Sequence, residues 1–301
     1  MRITTKMTTD NAVRHMSENQ STLHKLQEKT ASGKNFQYAS ESPSAASLSL
    51  TLRSTIQTSQ TYLDTANLTN DWMAASEFAF QQMDDLGLRA KNLVLSGLND
   101  TLGAEERQTA LASEINGILE NAMQIANTSH KGQYIFSGFQ INTKPFSPIF
   151  DLVELDKIIG IDYDGDNGVM QRSLGPAQTV TMNINADTAF RPFMESLIQI
   201  RDALNANDTT VLRTALNGLE SSVNQLDQFR TSLGTRMRQV ASTSDYLEKT
   251  QIELKSLLSQ NEDANMAEAI SLMRNQEITY QAVLEVGSRA ISALNLFEYL
   301  R

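Results

Sequence analysis

The 301-residue chain has no cysteine, which excludes disulfides, thiolate metal centres and a cysteine nucleophile and leaves its compartment open. Proline is scarce: Pro145, Pro148, Pro176 and Pro192 lie in the middle, and Pro43 is the only other. Because proline interrupts helices, both ends read as helical around a smaller non-helical body. Aromatic residues make up only 6%, which suits thin helical bundles better than a thick globule. Basic residues number 25 against 35 acidic, and the net charge of −10 repels a phosphate backbone, so no nucleic-acid partner is expected. No apolar run approaches the roughly 18 residues that span a bilayer, so no membrane partner is expected either. The start, Met1 to Asp10, lacks the apolar stretch of about 7–15 residues of a cleaved secretory signal, so any export is expected to use another route.

What the chain does have is period. Leu212, Leu219, Leu226, Leu233, Val240, Leu247 and Leu254 form a seven-residue ladder, the pattern of a long helix with one apolar seam. Residues 3–31 carry sparse apolar positions at helical spacing (Ile3, Met7, Val13, Met16, Leu23, Leu26), and Gly33 supplies a left-handed cap. Ser42 at the N-cap and Pro43 at the first helical position restart a helix. Its seam reads Leu52, Ile56, Leu63, Ala66, Met73 and Phe80, with Ser59, Asn70 and Glu77 at intervening positions that cost stability and select partners. That helix ends near Ser96–Asp100, and Glu105 and Glu106 mark the first turn of another carrying Leu111, Ile115, Ile118, Leu119, Met123 and Ile125. Strands are expected at Gln133–Phe139, Ile158–Ile161, Val169–Met170 and Val180–Ile184. Helical period returns at Phe193, Leu197, Ile198 and Leu204. A last helix opens at Asn265, with Glu268 at capping-box spacing, and carries Met266, Ile270, Met273, Tyr280, Leu284, Ile291 and Leu294 on its way to Leu300.

Chemistry is sparse. Asp162-Tyr-Asp164-Gly-Asp166-Asn-Gly168 opens like a calcium loop, but Asn167 stands where that loop needs glycine and Ser173 where it needs a bidentate glutamate. A turn between strands is the better reading. His15, His24 and His130 share no metal-ligand spacing, Ser32-Gly33-Lys34 lacks the upstream glycine of a phosphate loop, and no nucleophile elbow occurs. No enzyme, metal, cofactor or catalytic residue is expected.

The residues at both ends resemble the flagellin superfamily, and within it the hook–filament junction family. The start Met1-Arg-Ile-Thr-Thr-Lys-Met7 and the stretch Leu26–Leu48, with Thr30-Ala-Ser-Gly-Lys34 and Ser40-Glu-Ser-Pro-Ser-Ala-Ala46, are similar to its N-terminal signature. Gly132-Gln-Tyr-Ile-Phe-Ser-Gly-Phe139, Thr143-Lys-Pro-Phe146, Asn265-Met-Ala-Glu-Ala-Ile270, Tyr280-Gln-Ala-Val-Leu284 and Phe297-Glu-Tyr-Leu300 resemble it in the middle and at the far end. One departure is Glu41-Ser42, where the family carries an acidic pair before the proline. The resemblance implies a mainly α fold, a long bundle and coiled coil built from the N- and C-terminal segments with a small inserted β-rich domain. The expected divisions are 1–43 and 261–301 as paired terminal helices, 44–142 and 189–260 as a helical bundle, and 143–188 as the insert. It also implies a ring of subunits between hook and filament. The partners would be copies of the chain itself, the first hook-associated protein, flagellin and an export chaperone, with export by the flagellar type III route.

The assembly interface would be carried by Ile3, Met7, Val13, Met16, Leu23, Leu26, Met266, Ile270, Met273, Tyr280, Leu284, Ile291, Leu294, Phe297 and Leu300. A filament flagellin shares the helical ends and is the nearest rival, and a secreted enzyme or metal module within Pro145–Asp187 is a remote one. The terminal seams, interrupted by Gln20, Gln27, Glu277 and Gly287, bury too little apolar surface for firm helices alone and should order fully on pairing in an assembly. Limited proteolysis of the free chain is therefore expected to trim both ends before the middle; ends as resistant as the middle would contradict this.

Overall fold

The computed structural model describes residues 2–98, 105, 107–152, 154 and 156–299. Among the described residues six helices carry the fold: α1 (Arg2–Ser32), α2 (Pro43–Gly97), α3 (Ala112–Ala126, entered through a π-helical turn at Arg107–Leu111), α4 (Ala186–Asn205), α5 (Thr209–Glu262) and α6 (Met266–Tyr299). Six short strands lie between α3 and α4: β1 (Ser129–His130), β2 (Gln133–Tyr134), β3 (Phe146–Phe150), β4 (Ile158–Tyr163), β5 (Gln171–Gly175) and β6 (Gln178–Thr181). They pair as three separate antiparallel hairpins, β1–β2, β3–β4 and β5–β6. The chain is thus mainly α with a small β-rich insert. Among the described residues no helix is long and apolar enough to cross a membrane.

Two compact units are present, one from Met1–Thr58 with Thr250–Arg301, the other from Ser59–Lys249. In the second, α2 and α5 run antiparallel, tied by Lys91 to Glu220 and by Arg230, which reaches both Glu77 and Asp84. The leucine ladder of α5 lies buried from Leu212 to Leu247. On α2 the seam runs through Ala66, Thr69, Met73, Ser76, Phe80, Met83, Ala90 and Val94, alternating three and four residues with Gly87 filling the remaining step, and Trp72 and Ala79 are buried beside it. This corrects the sequence expectation at two places. Asn70 is exposed and its seam position belongs to Thr69, and Glu77, half-buried against Arg230, yields its position to Ser76. Thr69 and Ser76 are easily overlooked as core residues, yet each hydroxyl donates to its own helix, Thr69 to the Thr65 carbonyl at 2.7 Å and Ser76 to that of Trp72 at 3.1 Å. They can therefore be buried without a partner on another helix. Gly87 permits the closest approach, since a Cβ there would stand 2.7 Å from Val223 Cγ2.

The insert is tied to the bundle by aromatics. Phe80 of α2, Phe136, and Phe190 of α4 are fully buried, with centroids 6.0 Å (Phe80–Phe136), 4.9 Å (Phe80–Phe190) and 4.7 Å (Phe136–Phe190) apart. Phe146 of β3 joins them at 6.4 Å from Phe190. The expected strand at Gln133–Phe139 is corrected accordingly. Only Gln133–Tyr134 pairs, and it pairs backward onto Ser129–His130, while Ile135, Phe136 and Ser137 turn into the core. Val169–Met170 is not a strand, and the last strand is Gln178–Thr181 rather than Val180–Ile184. Strand β4 continues to Tyr163, and β3 and β5 arise where no strand was expected. Glu106 lies outside the described residues.

The acidic turn is occupied by backbone. Asp166 Oδ1 accepts from the Phe139 N–H at 2.9 Å and the Gly168 N–H at 2.7 Å, and Asp164 accepts from the Ser147 hydroxyl. Tyr163 donates to the Phe136 carbonyl, and burial, reinforced by Asp166 and Asp187, pushes its phenol up to about 12, so it remains a donor. Pro192 lies inside α4, which starts at Ala186 behind the N-cap of Asn185. The Thr188 carbonyl, which proline leaves without its helical donor, is taken by Gln225 Nε2.

Phe190 is the ring that touches Phe80, Phe136 and Phe146, so Phe190→Ala should cost about 3–5 kcal/mol of central-unit stability. Denaturant unfolding read from the single tryptophan, the buried Trp72, measures it, and a change under 1 kcal/mol would contradict the role given to this ring.

Candidate assembly interface

The terminal unit is built from α1, the first turns of α2, the last turns of α5, and α6. Gly33, at φ +68°, ends α1, and its carbonyl accepts from the Ala264 N–H at 2.8 Å. Next to it Lys34 forms a bridge with Asp263, and the Asn35 N–H donates to the Glu262 carbonyl at 2.6 Å. The N-terminal loop and the α5–α6 turn are therefore stitched backbone to backbone across more than two hundred residues of sequence.

Glu262 is the centre of this junction. Arg53 grips its carboxylate with two bonds, Nε to Oε1 at 3.0 Å and Nη2 to Oε2 at 2.7 Å, and Lys34 Nζ adds a third at 3.2 Å. Its side chain is only 8% exposed. The hydrogen bonds from Arg53 above all, helped by Ser49 and Lys34 against the opposing effect of burial, hold its carboxyl down at about 2. Lys34 also bonds Asp263, which lowers that group too. Asn261 completes the junction by donating to Ser49 and to the Ala45 carbonyl. In the loop, Glu41 accepts from the N–H groups of Gln37 and Tyr38, and the Ser42 carbonyl receives the first helical bond of α2, from Ala46. The single acid before Pro43 thus closes the loop unaided.

From this junction α1 and α6 run antiparallel. Asn19 meets Gln276, whose Nε2 donates to Asn19 Oδ1 at 2.8 Å, and a Cβ on Gly287 would lie 3.5 Å from Met16 Cε. Less exposed positions trace a seam that alternates four and three on both helices, Ala12, Met16, Asn19, Leu23, Leu26 and Thr30 on α1, and Ala269, Met273, Gln276, Tyr280, Val283 and Gly287 on α6, with Asn11, Glu28, Lys29 and Glu277 half-buried beside it. Of the residues expected to form the interface, Met16, Leu23, Leu26, Met273 and Tyr280 therefore line the seam within one chain. Ile270 is half-buried beside it. Met7, Val13, Met266 and Leu284 are exposed, Met7 to 63% and Val13 to 56%. Ile3, Ile291, Leu294 and Phe297 lie on the two helices, and Leu300 is outside the described residues. The polar break in α1 is Asn19, and Gln20 and Gln27 face solvent.

Sequence reasoning missed the Glu262 junction and, on α6, Leu272, Ile278 and Val286. Leu272, Ile278 and Val286 are exposed on a helix whose seam is already used, with Leu272 and Val286 on one side of it and Ile270 and Leu284 on the other. Apolar positions i, i+14 outside the seam were the available signal. Among the described residues no group of three or more histidines and carboxylates could hold a metal ion.

Helical ends that close on each other around an inserted body define a class, and both ends match its models. The bacterial flagellin N-terminal helical region matches residues 3–141 and the bacterial flagellin C-terminal helical region matches 216–300, together well over half of the chain. The chain belongs to the bacterial flagellin superfamily. Its relatives there are hook-associated proteins: it is 24% identical over 262 residues to flagellar hook-associated protein 3 of Escherichia coli K12, covering 80% of this chain and 82% of that one. The fold is that of Bacillus cereus FlgL, with TM-score 0.60 at 21% identity over 69% of this chain and 99% of that chain. It is likewise that of the flagellar junction protein FlgL from Legionella pneumophila, with TM-score 0.58 at 13% identity over 73% and 99%.

Because the folded Glu262 carboxyl sits below its ordinary value of 4.5, its stabilisation is present above about 4.5 and is lost as pH falls toward about 2. Helicity and amide protection of α1 and α6 should decline across that window. Glu262→Gln should remove the pH step and cost about 1.5–3 kcal/mol at neutral pH; an unchanged pH profile in the variant would contradict the junction.

Proposed function

We propose that this chain is the flagellar subunit that joins the hook to the filament, assembling as a ring through its terminal helices. The observation that carries the reading is the α1–α6 hairpin. Its internal seam is filled, yet apolar side chains remain on both flanks of α6, and a helix apolar beyond one stripe is one that becomes buried by partners. Copies of the same chain, side by side, would cover those flanks, with Met7, Val13, Met266 and Leu284 at the contacts. The names of the relatives support the same placement.

One end of the ring would meet the first hook-associated protein and the other would receive flagellin, with the β-rich insert outward. The role is mechanical and has no catalysed reaction. Before assembly an export chaperone would cover the flanks of α6, and the chain would leave by the flagellar type III route to the flagellum.

Deleting the gene in its own bacterium should leave completed hooks without filaments, with flagellin monomers released into the medium, as seen by electron microscopy and by assay of the culture fluid. Normal filaments would overturn the reading. Loss of the filament protein itself would assign the chain as flagellin.

A further inference from the structure

We propose that Asn19 and Gln276 form a register lock: a half-buried amide pair that makes one alignment of α1 on α6 the favoured one and rejects alignments slipped by a heptad. The inference rests on the reading of the terminal helices as the assembling element and adds how their alignment is chosen. Both residues occupy seam positions, and the bond between them is short, 2.8 Å from Gln276 Nε2 to Asn19 Oδ1. Asn19 is itself held, since its Nδ2 donates to the His15 carbonyl at 2.7 Å, which turns its oxygen toward α6.

The rest of the seam discriminates weakly. Small residues at Ala12, Ala269 and Gly287 leave few knobs whose size could identify a register. A slip of one heptad in either direction keeps both seams in phase. It would set Gln276 opposite Ala12 or Leu26 and Asn19 opposite Ala269 or Val283, leaving both amides without each other. An unpaired polar group at such a position is the known device by which coiled coils fix alignment at a cost in stability. The alignment matters to assembly because a heptad slip would move the apolar flanks of α6 by about 10 Å along the axis. Neighbouring subunits would then find them out of place.

The absence of cysteine makes a direct test clean. In the full chain, Met16→Cys with Tyr280→Cys, one turn from the Asn19–Gln276 pair, reports the observed alignment, and Leu23→Cys with Tyr280→Cys reports a slip by one heptad, each read with a short thiol crosslinker. In the parent the first pair should link within one chain and the second hardly at all. With Asn19→Leu and Gln276→Leu added, the helices should stay folded, the first link should fall several-fold, and the slipped link and links between chains should appear. The exchanged pair, Asn19→Gln with Gln276→Asn, should keep the parental pattern. Parental crosslinking in the leucine variant would overturn the lock, and so would slippage in the exchanged pair. Loss of helicity in the leucine variant would overturn it as well, because the pair would then hold the hairpin together rather than choose its alignment. The crosslinks read the free chain, so they are independent of where it assembles, which the deletion strain reports.

Discussion

A seam that repeats every seven residues is narrow, and it can be covered by one neighbouring helix only along a strip. Each long helix in this chain buries its residues in that way, alternating three and four. In the central unit the strip is not the whole core. The Phe80, Phe136 and Phe190 rings widen it, and α3, α4 and the hairpins cover what α2 and α5 leave open on that side. Among the described residues of the terminal unit no such plug is found, and beyond the junction with α2 and α5 the helices α1 and α6 pack on each other. The difference between a unit that is stable by itself and one that offers apolar flanks follows from that single geometric limit.

What could be read from sequence was the part of this geometry written in large residues. The ladder from Leu212, the left-handed Gly33, the restart at Ser42-Pro43 and the cap at Asn265 are all visible as local patterns, and the chain adopts each of them. The errors fall where a local pattern had two physical explanations. The β-branched and aromatic run after Gln133 suits a strand and suits a core plug equally, and burial against Phe80 and Phe190 decided for the plug. The seam steps expected at Asn70 and Glu77 fall to their neighbours Thr69 and Ser76, whose hydroxyls are satisfied within their own helix. Pro192 reads as a breaker because nothing near it in sequence shows that Gln225 will take the carbonyl it frees.

The terminal site was legible in outline only. Apolar spacing located α1 and α6 as helices that pair, but it could not separate residues facing the partner within the chain from residues facing outward, since Met16 and Val13 are equally apolar. The Glu262 junction was invisible for another reason. Lys34, Arg53 and Glu262 are ordinary surface types, and only folding brings the two cations within 3.2 Å of the Glu262 carboxylate.

Polar groups inside the seams divide into two kinds by where their bonds go. Thr69, Ser76 and Ser222 return a hydrogen bond to a carbonyl one turn back, so they add no preference for any neighbour. Asn19 with Gln276, and Glu262 with Arg53 and Lys34, spend theirs on another segment, where the bond exists in only one arrangement. The first kind occurs in both units, since Thr30 on α1 returns its bond to the Leu26 carbonyl, and the cross-segment kind stands at the centre of the terminal unit, whose seam is thin. The proposed role needs that division. A subunit that is to meet its own copies must keep apolar surface exposed without letting it choose partners, and under the proposed lock the choosing falls to groups whose bonds exist in only one arrangement.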